Sequence, residues 1–150
     1  MQKIKIHTIG FTKKSAEHFF NGLKKNGVIR VIDTRLNNNS QLSGFAKARD
    51  LEFLLKNICD IDYVYRSELA PTKKILDDYK NGKIDWEKYS REYLNLMEQR
   101  LISSKLSSDE VDGGCLLCSE DKPHHCHRRL LAEYLKQQWL NQITDINHIL

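Results

Sequence analysis

The sequence predicts a single α/β domain over residues 1–150, with a mainly parallel sheet of about five strands flanked by helices. Three observations carry that expectation. Short runs that are rich in β-branched residues, or that alternate apolar with polar ones, are separated by longer segments with apolar residues at helical spacing. The first strand–helix–strand segment has a crossover of the length that a right-handed parallel unit requires. With 150 residues and 40% hydrophobic content, the chain can bury one core without staples.

The first strand is Lys3–Gly10, alternating and ending in glycine. Ser15 is placed to cap a helix running to Lys25, with Phe19, Phe20 and Leu23 as its apolar stripe and Asn26-Gly27 as its stop. Val28–Arg35 is a short, β-branched central strand. Parallel sheets hold ligands beyond the carboxyl ends of their strands, which here carry Gly10, Asp33 and Arg35. The polar loop Leu36–Phe45, containing Ser40 and Gly44, is long enough to cover such a site.

A helix over Ala46–Asn57 places Leu51, Leu54, Leu55 and Ile58 on one face. Ile61–Tyr65 is a third strand leading to Glu68 and Pro71, and Pro71 can start a helix with Thr72 in its first turn. Glu68 is therefore expected near the same rim. Helices over Thr72–Lys80 and Asp85–Ser103 are separated by Asn81-Gly82, and Ser103–Glu110 is read as a flexible connection. Gly113–Cys118 is nearly all apolar, as a strand buried on both faces is. His124–Trp139 is a helix with Cys126, Leu130, Leu131, Tyr134 and Leu135 facing the core, and Ile143–Leu150 is a last strand.

Charge and composition narrow the function classes only modestly. The net charge of +4 permits an anionic small molecule, a nucleotide or a nucleic acid without demanding one. No run of about 18 apolar residues exists, and the N-terminus lacks the apolar segment of a secretory signal, so the expectation is a cytoplasmic protein without a membrane partner. In a reducing cytosol, four cysteines are free thiols, ligands or reacting groups rather than a disulfide framework. No cofactor is read.

Reactive side chains concentrate between Gly113 and Leu135. A strand end carries Cys118 and Glu120, a polar loop follows, and Cys126-His127-Arg128-Arg129 opens a helix. The helix dipole and guanidinium groups there would lower a thiol pKa or hold an anion. The competing interpretation makes both cysteines small buried hydrophobes and the arginines solvated pairs.

The stretches His7-Thr8-Ile9-Gly10, Val31-Ile32-Asp33-Thr34-Arg35, Ser43-Gly44-Phe45, Leu116-Leu117-Cys118-Ser119-Glu120 and Cys126-His127-Arg128-Arg129, in this order, resemble the domain of unknown function 488 family. The resemblance implies an α/β domain whose shared polar residues gather on one rim. It implies no activity.

The chemistry therefore has to come from the residues. The candidate reacting groups are Asp33, Cys118, Glu120, Cys126 and His127; the candidate substrate-binding residues are Gly10, Arg35, Ser40, Gly44, Glu68 and Arg128. The leading expectation is an enzyme acting on a phosphate-bearing small molecule or nucleotide. In one version Glu120, near Asp33 and between Arg35 and Arg128, reacts at a glycosidic carbon. A second reading is a non-catalytic nucleotide or nucleic-acid binding module built on Arg35, Arg128 and Arg129, with Tyr63, Tyr65, Tyr79, Trp86, Tyr89 and Tyr93 available for stacking.

A third is a thiol or redox enzyme. Ile32-Asp33-Thr34-Arg35 and Leu117-Cys118 look in part like a rhodanese-like sulfurtransferase, although Glu120 and Asp121 beside the thiol would raise its pKa. The tyrosine-phosphatase spacing fails, because position 124 is histidine. A Cys118–Cys126 disulfide stands as a separate possibility. Zinc is disfavoured, because Cys115 and Cys118 lie three apart on a strand and point to opposite faces.

Overall fold

The computed structural model describes residues 2–38, 44–120 and 123–150. Strands β1 (Gln2–Gly10), β2 (Arg30–Asp33), β3 (Asp62–Tyr65), β4 (Gly114–Cys118) and β5 (Gln142–His148) pair in parallel, in the spatial order β3-β2-β4-β1-β5. The fold is thus α/β, as the alternation of strand and helix patterns predicts. Every residue of β4 is buried, which its uninterrupted apolar sequence requires of a central strand.

Side-chain alternation on β4 separates two cores. Leu116 packs with Ile32, Tyr93 and Leu131 on one face; Cys115 and Leu117 pack with Phe19, Leu23 and Leu51 on the other. Helices α1 (Ala16–Lys25) and α2 (Ala48–Leu54) cover the second face. The first is covered by α4 (Trp86–Gln99), α7 (His127–Gln138) and residues that flank them. The chain leaves β1 and β2 on the α1 side but leaves β4, which lies between them, on the α7 side. That reversal opens a crevice at the carboxyl end of β4.

Local chemistry explains the helix boundaries. Ser15 Oγ accepts from the His18 N–H at 3.1 Å, Phe19, Phe20 and Leu23 are buried, and Gly27 takes φ +69° as the chain turns toward β2. Thr72 Oγ1 accepts from the Ile75 N–H, so Thr72 caps α3 (Lys73–Lys80) instead of lying within it.

Other sequence expectations change as well, and the helix expected from His124 begins at His127. The helix through Ala46–Asn57 ends at Leu54 and continues as a π turn over Leu55–Cys59, and Ile58 turns out to be 49% exposed while Leu51 and Leu55 stay buried. The wider turn advances less rotation per residue, so the helical spacing no longer applies. The helix expected to reach Ser103 stops after Gln99, because Leu101 takes φ +56°, and α5 (Ile102–Lys105) begins afresh. The supposed flexible connection is largely helical: Ser107 caps α6 (Ser108–Val111), and buried Ile102, Leu106 and Val111 anchor it to the core.

Candidate functional site

The register of the sheet brings separate parts of the sequence together. Gly10 lies opposite Cys118, and Asp33 opposite Leu117, so β1, β2 and β4 end side by side. Asp33 is fully buried and both its carboxylate oxygens are engaged. Oδ1 accepts from Arg35 Nε at 2.9 Å and from the Arg35 backbone N–H, while Oδ2 accepts from Arg35 Nη2 at 2.8 Å and from the Tyr63 hydroxyl at 2.6 Å. Burial, then the Asp33 charge, hold the Tyr63 phenol above its ordinary value and keep it a donor.

Arg35 is fixed on a third side by the Phe11 ring, 5.3 Å from its guanidinium carbon. Its Nη1 is buried and has no hydrogen-bond partner among the described residues. A pre-oriented guanidinium with one donor edge unused is suited to an anion.

Arg128 reaches back from α7 beneath the loop that follows β4. Its Nη1 donates to Cys118 Sγ at 3.0 Å and to the Glu120 carbonyl, and its Nε donates to Thr8 Oγ1 at 3.3 Å. Gly10 makes this arrangement possible: a Cβ there would overlap the Glu120 carbonyl oxygen and come within 2.7 Å of Arg128 Nη1. Thr12 ties the adjoining loop to the same place through the Ser119 carbonyl. On the far side, Thr8 Oγ1 lies 2.6 Å from His148 Nδ1 on β5.

Cys118 and Cys126 are joined as a disulfide across eight positions. Cys126 is the N-cap residue of α7, and its side chain makes no capping hydrogen bond. Its neighbour His127 is buried, with Nε2 2.9 Å from the Thr34 carbonyl and 3.0 Å from Thr34 Oγ1. A carbonyl only accepts, so Nε2 carries the proton. Burial, helped by the Arg128 charge, lowers the His127 pKa to about 4, so the ring is neutral.

These groups border a cleft of about 330 Å³. Its lining includes the polar or reactive Arg35, Cys118, Ser119, Glu120, Cys126 and His127 and the apolar or aromatic Pro71, Leu76, Tyr79 and Tyr89. The Glu120 side chain is exposed at the mouth; its backbone carbonyl, not its carboxylate, meets Arg128. Glu68 lies in a 3-10 turn beyond β3 and does not line the cleft. Gly44 is exposed at the start of a short 3-10 helix whose Phe45 packs on Phe19 and Phe20. Ser40 and Asp121 lie outside the described residues.

Cys115 faces the α1 side of the sheet, where burial raises its thiol pKa, and it does not meet Cys118. Among the described residues, no group of three or more His, Cys, Asp or Glu side chains could hold a metal ion, and no helix is long and apolar enough to cross a membrane. Reasoning from sequence overlooked Thr8, Phe11, Thr12 and Thr34. The strand alternation held a signal for two of them: Thr8 shares the face of Gly10, and Thr34 points away from Asp33 toward α7.

No curated protein and no solved structure matches the chain. The family described as domain of unknown function DUF488 matches residues 15–135, well over half of the chain and including β2, β4, Cys126 and the start of α7. The chain belongs to that family.

Proposed function

We propose that this protein is an enzyme acting on a phosphate-bearing small molecule in the cleft, with Cys118 as its reacting group and Arg35 as the phosphate anchor. The observation that carries this reading is the hydrogen bond from Arg128 Nη1 to Cys118 Sγ, on a cysteine that lines the same cleft as Arg35. When the disulfide is reduced, a guanidinium at that distance stabilises the Cys118 thiolate over the thiol. The first turn of α7 adds positive potential from its backbone N–H groups.

Asp33 serves here as a positioning residue. Its oxygens are filled by Arg35 and Tyr63, leaving little capacity to accept a proton from substrate. Glu120, exposed at the mouth, is left to contact solvent or an incoming ligand. The test is turnover and binding across a panel of phosphate esters, using reduced protein. The expected result is binding that survives Cys118→Ser with turnover abolished. A wild-type protein that neither binds nor turns over any phosphate ester sinks the proposal, and binding without turnover leaves the non-catalytic module.

The Cys118–Cys126 bond favours one second reading, a dithiol redox enzyme in which Cys126 resolves a mixed disulfide on Cys118. Cys126→Ser separates the two. It abolishes a redox cycle but leaves a single-thiol nucleophile active.

A further inference from the structure

We infer that the ligand of this cleft is a mononucleotide, with its phosphate on Arg35 and its base against Tyr79; this rests on the anion-binding reading above and names the substrate class. The polar lining supplies one defined anchor. Arg35 is 2% exposed, lines the cleft, and is held by Asp33 and Phe11, and its Nη1 lacks a partner among the described residues. A buried unpaired donor carries a desolvation cost that an anionic oxygen would remove.

The apolar lining is aromatic in part. Tyr79 is half-buried at the end of α3, its ring 4.9 Å from that of Tyr89 and 5.7 Å from that of Trp86. His125, which also lines the cleft, stacks on Trp86 at 4.8 Å with 25° between the planes. The helical spacing of Trp86, Tyr89 and Tyr93 suggests ordinary core packing, and for Tyr93, which is fully buried, that holds. Tyr89, 2% exposed, belongs to the same core, whereas Tyr79 is partly exposed and borders the cleft that Arg35 also borders. Trp86 stacks on Tyr89 and on His125, and Tyr79 leans on Trp86 and Tyr89 at 57° and 38°, so the ring cluster holds Tyr79 in place as a surface for one more planar group.

Size selects among planar anions. A volume of about 330 Å³ sits at the low end of the range for small-molecule sites, enough for one ring system and one phosphate. A polynucleotide would need a groove open along its length. An aliphatic sugar phosphate would engage Arg35 and leave the aromatic lining bare.

The experiment is calorimetric titration of the reduced full chain with adenosine monophosphate, ribose 5-phosphate and inorganic phosphate. Adenosine monophosphate is expected to bind at least about tenfold more tightly than ribose 5-phosphate. Tyr79→Leu should erase that ratio while leaving ribose 5-phosphate binding intact, and Tyr79→Phe, which keeps the ring, should preserve it. Equal affinity for the two ligands in the wild type, or a ratio unchanged by Tyr79→Leu, overturns the nucleotide assignment while the phosphate reading stands. Failure of all three probes to bind overturns both.

Discussion

Arg128 and Cys118 are ten positions apart, and Nη1 of the arginine donates to the sulfur of the cysteine across 3.0 Å within the protein interior. The contact depends on the β4–α7 loop folding closely over the end of β1, since the same guanidinium also holds the Glu120 carbonyl. Gly10 supplies the space.

Gly10→Ala is therefore expected to destabilise the protein by about 3 kcal/mol, the upper part of the range for overpacking, because the atom met is a backbone carbonyl with little freedom to move. Urea denaturation checks this. A loss below about 1 kcal/mol would mean that the loop yields easily and that the glycine is not what seats it.

Asp33→Asn should cost about 3 kcal/mol, since it leaves the buried Arg35 guanidinium without its bidentate partner, while Tyr63→Phe should cost about 2 kcal/mol through one lost bond to a charged acceptor. If Asp33 were a reacting group, its amide variant would instead abolish turnover at nearly unchanged stability. Chemical denaturation and activity measured on the same samples separate the outcomes.

His127 makes stability depend on pH in a defined direction. Its folded pKa of about 4 lies below the ordinary 6.5, so the unfolded chain takes up the proton first as the pH falls. The stabilisation is complete above about pH 6.5 and is lost as the pH drops toward 4, by about 3 kcal/mol for this group. His7 and His148 are shifted downward too, chiefly by burial, so the wild-type curve alone does not isolate the effect. Thermal melts of wild type and His127→Gln between pH 7 and pH 4 do, and the variant should have a shallower acid limb. Parallel curves would contradict the assignment of His127 as buried and neutral.

What the sequence made legible was local. Gly113–Cys118 reads as a central strand because it has almost no polar face to offer water, and Ser15 announces its helix through the hydrogen bond a cap makes. The convergence of Asp33, Arg35 and Cys118 was expected from parallel topology, but their pairing was not. Thr34 meets Leu117 across 83 positions only because β4 inserts between β1 and β2, and no local pattern states that order. Glu68 and Glu120 were expected on one rim with Asp33. Both follow strands, but a side chain past a strand end is aimed by its loop, and neither carboxylate joins the Asp33–Arg35 pair.

The Ser-rich stretch at 103–110 misled for a related reason. Of the three apolar anchors only Leu106 lies within the stretch, with Ile102 and Val111 just outside it and divided between two short helices, and Ser107 acts as a cap rather than as linker.

Stabilisation of the reduced Cys118 thiolate by Arg128 is read out by following thiolate absorbance against pH in reduced Cys126→Ser protein, with and without Arg128→Gln. Burial raises the thiol pKa of both Cys59 and Cys115, so ionisation below the ordinary thiol value of about 8.5 reports Cys118. That ionisation should fall well below 8.5 and move upward by about a unit or more when Arg128 is replaced. A Cys118 that stays protonated until above pH 9, or whose titration ignores Arg128→Gln, would contradict it.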